Sequence, residues 1–214
     1  MRQSLKVWAE LGFSFDVVST GMILSAEQAA LVSDFCEQSA KKGALVFVDP
    51  IMGDEGKLYN GVGEETVAHM RKMVAVADCI VPNYTEAAYL ADMPYHEDMT
   101  EEEARALTIR LHEMGAKSVV VTSAKVDGEN CVVGYDGTEG EFFRIPFDLI
   151  PVRFVGTGDI FAAVMLGRLV DGVPLQESTH RAMDAVRTMI DRNRDKEDKY
   201  LGIPIETCLE VLDE

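Results

Sequence analysis

The chain has few basic side chains and no long apolar stretches, and these absences exclude several classes of protein. It carries 20 basic against 37 acidic side chains, a formal net charge of −17 over 214 residues. A surface of that sign repels a polyanion, which excludes nucleic-acid binding as the default function. No stretch approaches the ~18 consecutive apolar residues of a membrane-spanning helix, and the first residues mix charge too evenly for a signal peptide. We therefore expect a soluble, cytoplasmic protein without a membrane partner.

Metal-binding and redox motifs are also missing. The four cysteines lie far apart without a Cys-x-x-Cys pair, and the four histidines are equally scattered. Neither residue type has the spacing of a zinc site or a redox pair, so the cysteines are expected to be reduced core residues. With 47% hydrophobic and 27% charged residues, the composition is that of an ordinary globular protein, and its length predicts one domain.

What the sequence does contain is an alternation of short apolar runs with helical segments. The runs are rich in β-branched residues and predict strands at residues 15–20, 44–48, 79–81 and 118–122. Between them, Ser25 with Gln28 and Thr100 with Glu103 fit capping boxes at helix starts. Strands that alternate with helices predict an α/β fold, in which a mostly parallel sheet is flanked by helices.

The alternation ends after residue 129. Two β-rich stretches flank the turn sequence at 136–140, which predicts a β-hairpin near 130–147. The segment 160–166 is apolar nearly all round, so a helix there is expected to lie deep in the protein.

Polar residues stand directly after the predicted buried strands. They are Asp49, Asn83, Thr122 and Ser123. In an open α/β sheet ligands bind at the carboxyl ends of the strands. That edge of the sheet is the candidate site.

The sequence Gly156-Thr157-Gly158-Asp159 leads straight into the apolar helix. A tight turn at a helix N-terminus offers N–H groups and a positive dipole end to an anion. A carboxylate beside such an anion can accept a proton from a hydroxyl that attacks a phosphoryl group. The alternative is that the glycines only shape a loop and that Asp159 is an ordinary acid of a first helical turn.

Two further loops supply what phosphoryl transfer needs. Residues 49–59 combine carboxylates with glycines, and residues 83–86 place Asn83 and Glu86 where one helical turn could point both at one spot. Phosphoryl transfer uses oxygen ligands for Mg²⁺, donors for the phosphates and a base for the hydroxyl. Each residue also has an ordinary explanation. Asn83 and Thr85 could cap a helix, Asp49 could end a strand and Tyr59 could be a surface aromatic.

Four segments, taken in order, closely resemble the pyridoxal (pyridoxamine) kinase group of the ribokinase-like superfamily. They are DPIMGDEGKLY, VPNYTEA, VVVTS and FVGTGDIFAAVMLGRL. The likeness runs from about Ser14 to the last helix. It implies a three-layer ribokinase-like fold and a single kinase domain over residues 1–214. The implied activity is ATP-dependent phosphorylation of the 5′-hydroxyl of pyridoxal, pyridoxamine or pyridoxine, which gives pyridoxal 5′-phosphate in vitamin B6 salvage.

The resemblance also implies roles for the glycine–aspartate turn. Asp159 is the expected catalytic base, which takes the proton of the 5′-hydroxyl. Gly156, Thr157 and Gly158 are expected to form the anion hole for the transferred phosphoryl group.

The remaining positions carried over by the resemblance contact ATP or metal ions. ATP and its phosphates are expected to meet Asp54, Tyr59, Thr122 and Ser123. Mg²⁺ is expected at Asn83, Glu86 and Asp54, through water for the first two. A monovalent cation such as K⁺ is expected at Asp49 and Thr122.

Members of this group begin with a strand and substrate-binding elements ahead of the part that aligns here. The resemblance therefore predicts a chain without that N-terminal segment, and a homodimer, as members often are. Two alternatives stay open: a hydroxymethylpyrimidine kinase-like enzyme, or a truncated relative that binds ATP and Mg²⁺ without catalysis. The sequence Gly-Lys-Leu-Tyr at 56–59 favours a pyridoxal kinase.

Overall fold

A six-stranded sheet organises the first part of the computed structural model, which describes residues 1–212. From edge to edge its strands are β1 (Val17–Thr20), β2 (Leu45–Val48), β5 (Cys79–Ile80), β6 (Ser118–Val126), β7 (Glu129–Asp136) and β8 (Glu141–Pro146). The first three pairings are parallel and the last two antiparallel. The two other strands, β3 (Gly53–Asp54) and β4 (Lys57–Leu58), form a separate antiparallel hairpin. The predicted α/β class is confirmed.

The order of the strands explains where the helices of the first unit lie. They are α1 (Arg2–Glu10), α2 (Ala26–Ala40), α3 (Glu64–Val74), α4 (Tyr84–Ala91) and α5 (Glu101–Glu113). Because the sheet advances in one direction from β1 to β6, right-handed crossovers bring α2 to α5 to the same face. There each helix packs against the next one along the chain.

Both predicted capping boxes lie at helix starts. Ser25 Oγ accepts a hydrogen bond from Gln28 N at 3.1 Å, although the Gln28 side chain reaches back to Leu24 N and not to Ser25 N. At α5, Thr100 and Glu103 bond each other's backbone N–H groups reciprocally. These local signals fix where α2 and α5 begin.

The core of the first unit contains the strand runs that the sequence predicted, together with the inward faces of α2 to α5. Val46, Phe47 and Val48 have no exposed surface, as expected of a strand covered on both faces. The predicted hairpin is confirmed as β7–β8, and it joins the main sheet. The β6–β7 hairpin was not predicted from the sequence; its turn residues Asp127 and Gly128 have φ of 50° and 84°.

Residues from Phe147 onward form a second compact unit. It contains α6 (Thr157–Val170), α7 (Leu175–Asn193) and short 3₁₀ turns at Ile205–Thr207 and Leu209–Leu212. The expectation that α6 lies deep in the protein is wrong, because only Ile160, Phe161 and Met165 of its 14 residues are buried. The prediction of a single kinase domain stays a prediction. No helix among residues 1–212 is long and apolar enough to cross a membrane.

All four cysteines are buried and none forms a disulfide. Burial raises the pKa of the Cys36 thiol to about 11. Burial also raises the pKa values of Cys79 and Cys131 above the usual range. The thiols of Cys36, Cys79 and Cys131 therefore stay protonated, as expected of core residues.

Gly134 allows an aromatic ring to lie across the antiparallel part of the sheet. It pairs with Phe143 on the neighbouring strand, and a Cβ built at Gly134 would overlap the Phe143 ring. The missing side chain thus makes the room that the buried ring occupies.

We expect Gly134→Ala to lower the free energy of unfolding by about 1–3 kcal/mol, because the added Cβ overlaps the buried Phe143 ring and forces it to shift. Gly167→Ala is the control: no atom lies within 4 Å of its Cβ, and alanine should raise helix stability by about 0.5–1 kcal/mol. Urea titration measures both, and equal effects would contradict the packing argument.

Candidate active site

The parallel strands bring three of the predicted site residues to one edge of the sheet. Asp49 directly follows β2, and its N–H donates to Thr20 O at 3.0 Å. Asn83 follows β5 and forms an isolated parallel bridge with Thr122. Thr122 N donates to Pro82 O at 2.9 Å, so the chain after β5 stays beside β6.

A β-bulge shapes β6 at this edge. The pairing register of β6 shifts between Val121 and Ala124. Within the bulge Ser123 has φ of 55°, in the left-handed region that a serine seldom adopts. Bulges redirect side chains and often adjoin functional sites. Thr122 is left half-buried and Ser123 exposed.

The β3–β4 hairpin replaces the flexible loop that the sequence suggested after β2. Its turn residues Glu55 and Gly56 have φ of 52° and 77°, as a two-residue type I′ turn requires. Asp54 is half-buried, and its Oδ1 accepts from Glu55 N at 2.9 Å. Tyr59 follows β4; its N–H donates to Met52 O at 2.9 Å, and the residue is 43% exposed.

Asn83 and Glu86 form the capping box of α4. Asn83 Oδ1 accepts from Glu86 N at 3.0 Å, and Glu86 Oε2 accepts from Asn83 N at 2.9 Å. The same side chains also reach the segment after β2. Asn83 Nδ2 donates to Gly53 O at 2.8 Å, and Glu86 Oε1 accepts from Met52 N at 2.9 Å and Gly53 N at 3.4 Å. The two side chains thus converge on the backbone of residues 52–53.

This arrangement bears on how Mg²⁺ fits the site. Asn83 Oδ1 and Glu86 Oε2 each accept one backbone N–H group, which leaves one lone pair on each of these oxygens for water, whereas Glu86 Oε1 accepts from both Met52 N and Gly53 N. Among residues 1–212, no group of three His, Cys, Asp or Glu side chains could hold a metal ion alone. Mg²⁺ keeps several waters and commonly shares one or two carboxylates with substrate phosphates. The residues therefore fit an ion that arrives with a nucleotide.

Glu86 is a carboxyl group with only 3% of its surface exposed. Burial is the largest effect on its pKa, and the charge of Asp49 adds to it. Three backbone N–H groups act in the opposite direction, and the pKa is raised from 4.5 to about 7. An acid with a raised pKa binds its proton more tightly in the folded state, so its contribution to stability is complete below about pH 4.5 and is lost as the pH rises to 7.

We expect the unfolding free energy of the wild type to fall more steeply with pH between 4.5 and 7 than that of Glu86→Gln. The difference in slope should reach up to about 1.4 kcal/mol per pH unit. Urea titrations at several pH values measure it. The matched control is Glu103→Gln at the exposed capping box of α5. There the hydrogen bonds with Thr100 lower the pKa of the Glu103 carboxyl, so the stability that this group contributes is lost as the pH falls. This pH dependence has the opposite sign to that of Glu86. Parallel slopes for the wild type and Glu86→Gln would refute this assignment.

In the second unit, the glycine–aspartate turn begins α6. Gly156 is the N-cap, with φ of 85°, and Ile160 N donates to Gly156 O at 3.1 Å as the first helical bond. N–H groups of a first turn have no acceptor within their helix. Asp159 is exposed, and its Oδ2 lies 3.7 Å from a Cβ built at Gly156. The carboxylate therefore lies over the turn, beside open space at Gly158.

A groove of about 290 Å³ lies between α1 and α2, and its aromatic side chains are Trp8, Phe13, Phe15 and Phe35. Phe13 and Phe15 precede β1, which places the groove at the amino end of that strand. None of the predicted site residues lines it. We therefore assign the site to the strand ends and not to this groove.

A parallel sheet with polar residues at its carboxyl edge defines a ligand-binding α/β protein. The phosphomethylpyrimidine kinase family matches the chain over residues 3–202. The chain belongs to this family.

Individual relatives agree with this assignment. Pyridoxal kinase of Arabidopsis thaliana is 33% identical over an alignment of 171 residues, which covers 76% of this chain and 53% of the plant protein. A candidate phosphomethylpyrimidine kinase of Bacteroides thetaiotaomicron, solved with pyridoxal, is 32% identical with a TM-score of 0.93, over 100% of this chain and 76% of that one. Pyridoxal kinase of Lactobacillus plantarum is 28% identical with a TM-score of 0.85, over 99% and 76%.

The expected resemblance to pyridoxal kinases and the ribokinase-like fold are thereby confirmed. The chain spans about half the length of the curated relatives that it matches. The expected roles of the site residues stay predictions.

Proposed function

We propose that this protein transfers the γ-phosphoryl group of ATP to the 5′-hydroxyl of pyridoxal or a related B6 vitamer, which gives pyridoxal 5′-phosphate and ADP. The observation that carries the proposal is the turn at the start of α6, where the exposed carboxylate of Asp159 lies beside the N–H groups of a helix N-terminus. The likeness to the Bacteroides protein solved with pyridoxal supports the choice of substrate.

The turn at 156–159 supplies two parts of the chemistry. Asp159 accepts the proton of the 5′-hydroxyl while its oxygen attacks the γ-phosphorus and the bond to ADP breaks. The N–H groups of the turn, formed by Gly156, Thr157 and Gly158, stabilise the charge that spreads over the transferred phosphoryl oxygens. Gly156 permits this geometry because its φ of 85° is easily adopted only without a side chain.

The strand ends of the first unit bind the nucleotide under this proposal. Asp54 and Tyr59 face its phosphates, and Thr122 and Ser123 contact it at the β6 bulge. Asp54 would hold a Mg²⁺ ion directly, and Asn83 and Glu86 would hold it through water. The ion would supply positive charge that neutralises the nucleotide phosphates.

A monovalent cation such as K⁺ is proposed at Asp49 and Thr122. Asp49 follows β2 and Thr122 lies in β6. Only β5 separates these two strands in the sheet. At ~4.8 Å per strand spacing their backbones lie about 10 Å apart, so long side chains, carbonyls or water must complete the cation's shell. We further propose that residues 1–214 belong to one kinase domain, which acts in the cytoplasm, where ATP is available, and as a homodimer.

A second candidate substrate is a hydroxymethylpyrimidine, because the family that matches residues 3–202 is described as phosphomethylpyrimidine kinase. Both substrates present a primary alcohol on a heteroaromatic ring, and Asp159 would serve either one. Competition between pyridoxal and the pyrimidine alcohol for the same enzyme distinguishes the two candidates. A chain that binds MgATP and phosphorylates neither would be the non-catalytic relative.

We expect Asp159→Asn to lower kcat for pyridoxal phosphorylation by ~10²–10⁴-fold, because asparagine cannot accept the proton. The affinity for MgATP should change much less, since the N–H groups of the turn remain. Formation of pyridoxal 5′-phosphate measures the first quantity and calorimetry the second. Asp171→Asn, at the opposite end of α6, is the matched control and should leave both unchanged. Equal turnover of wild type and Asp159→Asn would remove Asp159 from the mechanism.

A further inference from the structure

The β3–β4 hairpin is too short to hold its own shape. Each of its strands has two residues, and isolated hairpins are marginally stable at best in water. The hairpin nevertheless carries Asp54 and leads directly into Tyr59. Whatever fixes the hairpin therefore also fixes the two side chains that the proposed function places at the phosphates.

The first turn of α4 fixes the hairpin in two places. Asn83 and Glu86 hold its base, through the bonds to residues 52 and 53 described above. Thr85 holds its tip, because Thr85 Oγ1 accepts a hydrogen bond from Gly56 N at 2.8 Å. The two residues of this last bond are 29 positions apart in sequence.

The position of Thr85 explains why its hydroxyl is available to the hairpin. Inside a helix a threonine hydroxyl commonly bonds a carbonyl of the preceding turn. Thr85 is the second residue of α4, so no helical turn precedes it. The residue is 3% exposed, and a hydroxyl without a partner at such a site would be unfavourable. The Gly56 N–H provides that partner.

An aromatic ring closes the other side of the tip. A Cβ built at Gly56 would lie 3.1 Å from the ring of Tyr95. Tyr95 stacks on Tyr84 with ring centroids 4.8 Å apart, and the Tyr84 hydroxyl accepts from His96 N at 3.0 Å. Gly56 therefore lies between the Thr85 hydroxyl and a ring that is itself held by α4.

We infer that Thr85 is a positioning residue: its hydroxyl holds the hairpin tip at Gly56 and so directs Asp54 towards the metal–nucleotide complex. The identity of that ligand rests on the proposed function. The contact between Thr85 and Gly56 does not depend on it.

The test compares two substitutions of similar size. Thr85→Val keeps the shape of the side chain but removes the acceptor, whereas Thr85→Ser keeps the acceptor. We expect Thr85→Val to speed hydrogen exchange at the Gly56 amide by ~10-fold or more, since a part-buried N–H loses its partner. Affinity for MgATP, measured by calorimetry, should weaken by ~10-fold, and Thr85→Ser should restore both to near the wild-type values.

Thr108→Val is the matched control for removing a buried threonine hydroxyl. Thr108 has no exposed surface, and its Oγ1 donates to Arg105 O within α5 at 3.0 Å. We expect this variant to leave Gly56 exchange and MgATP affinity unchanged. Should Thr85→Val fail to fold, the comparison of Thr85→Ser with Thr85→Ala decides. If the Gly56 amide is protected from hydrogen exchange in Thr85→Ser but not in Thr85→Ala, the inference is supported. Equal protection in the two variants overturns it.

The failures of this inference and of the proposed function are distinguishable. Wild-type binding of MgATP without phosphorylation of pyridoxal overturns the proposed function and leaves Thr85 to be judged by exchange and affinity. Unchanged Gly56 exchange or unchanged MgATP affinity in Thr85→Val overturns the positioning role. A wild-type chain that binds no MgATP overturns both.

Discussion

A single buried carboxylate joins the segments that surround the strand ends of the first unit. The oxygens of Glu86 accept N–H groups from the segment after β2 and from the residue that follows β5. A buried carboxylate is tolerated only when such donors are present. The two segments therefore have to stay together for the group to remain satisfied. The capping of α4, the base of the β3–β4 hairpin and the approach of Asp54 all depend on this contact.

The strand order explains why these segments meet at all. From β1 to β6 the sheet grows in one direction through parallel pairings, so every crossover helix lies on the same face and every strand ends at the same edge. Asp49, Asn83 and Thr122 come from distant parts of the sequence. Asp49 and Asn83 follow β2 and β5, and Thr122 lies at the bulge within β6, where it bridges to Asn83. The antiparallel strands β7 and β8 extend the sheet without adding a predicted site residue to that edge.

Features set by local sequence could be predicted, and features set by distant contacts could not. The helix cap at Ser25 and the capping box at Thr100 need only residues within one helical turn, and the strand runs need only their own apolar side chains. The β3–β4 hairpin was missed because two-residue strands give no periodic pattern and because its tip is held by Thr85, 29 residues away.

Three further features could not be predicted for similar reasons. Thr85 was considered only as a helix cap, whereas Asn83 caps α4 and Thr85 bonds the hairpin. The apolar character of α6 predicted complete burial, but composition alone does not say how much of a helix its neighbours cover. Only three of its residues are buried. The left-handed Ser123 likewise has no signal in the sequence, since serine is not typical of that conformation.

The burial of every cysteine makes the native chain unreactive towards thiol reagents, because maleimides and similar probes need an accessible thiolate. An introduced cysteine on an exposed position of the hairpin, such as Lys57→Cys, would therefore be labelled selectively. A fluorophore or spin label attached there would report the position of the hairpin directly, without prior removal of any natural cysteine.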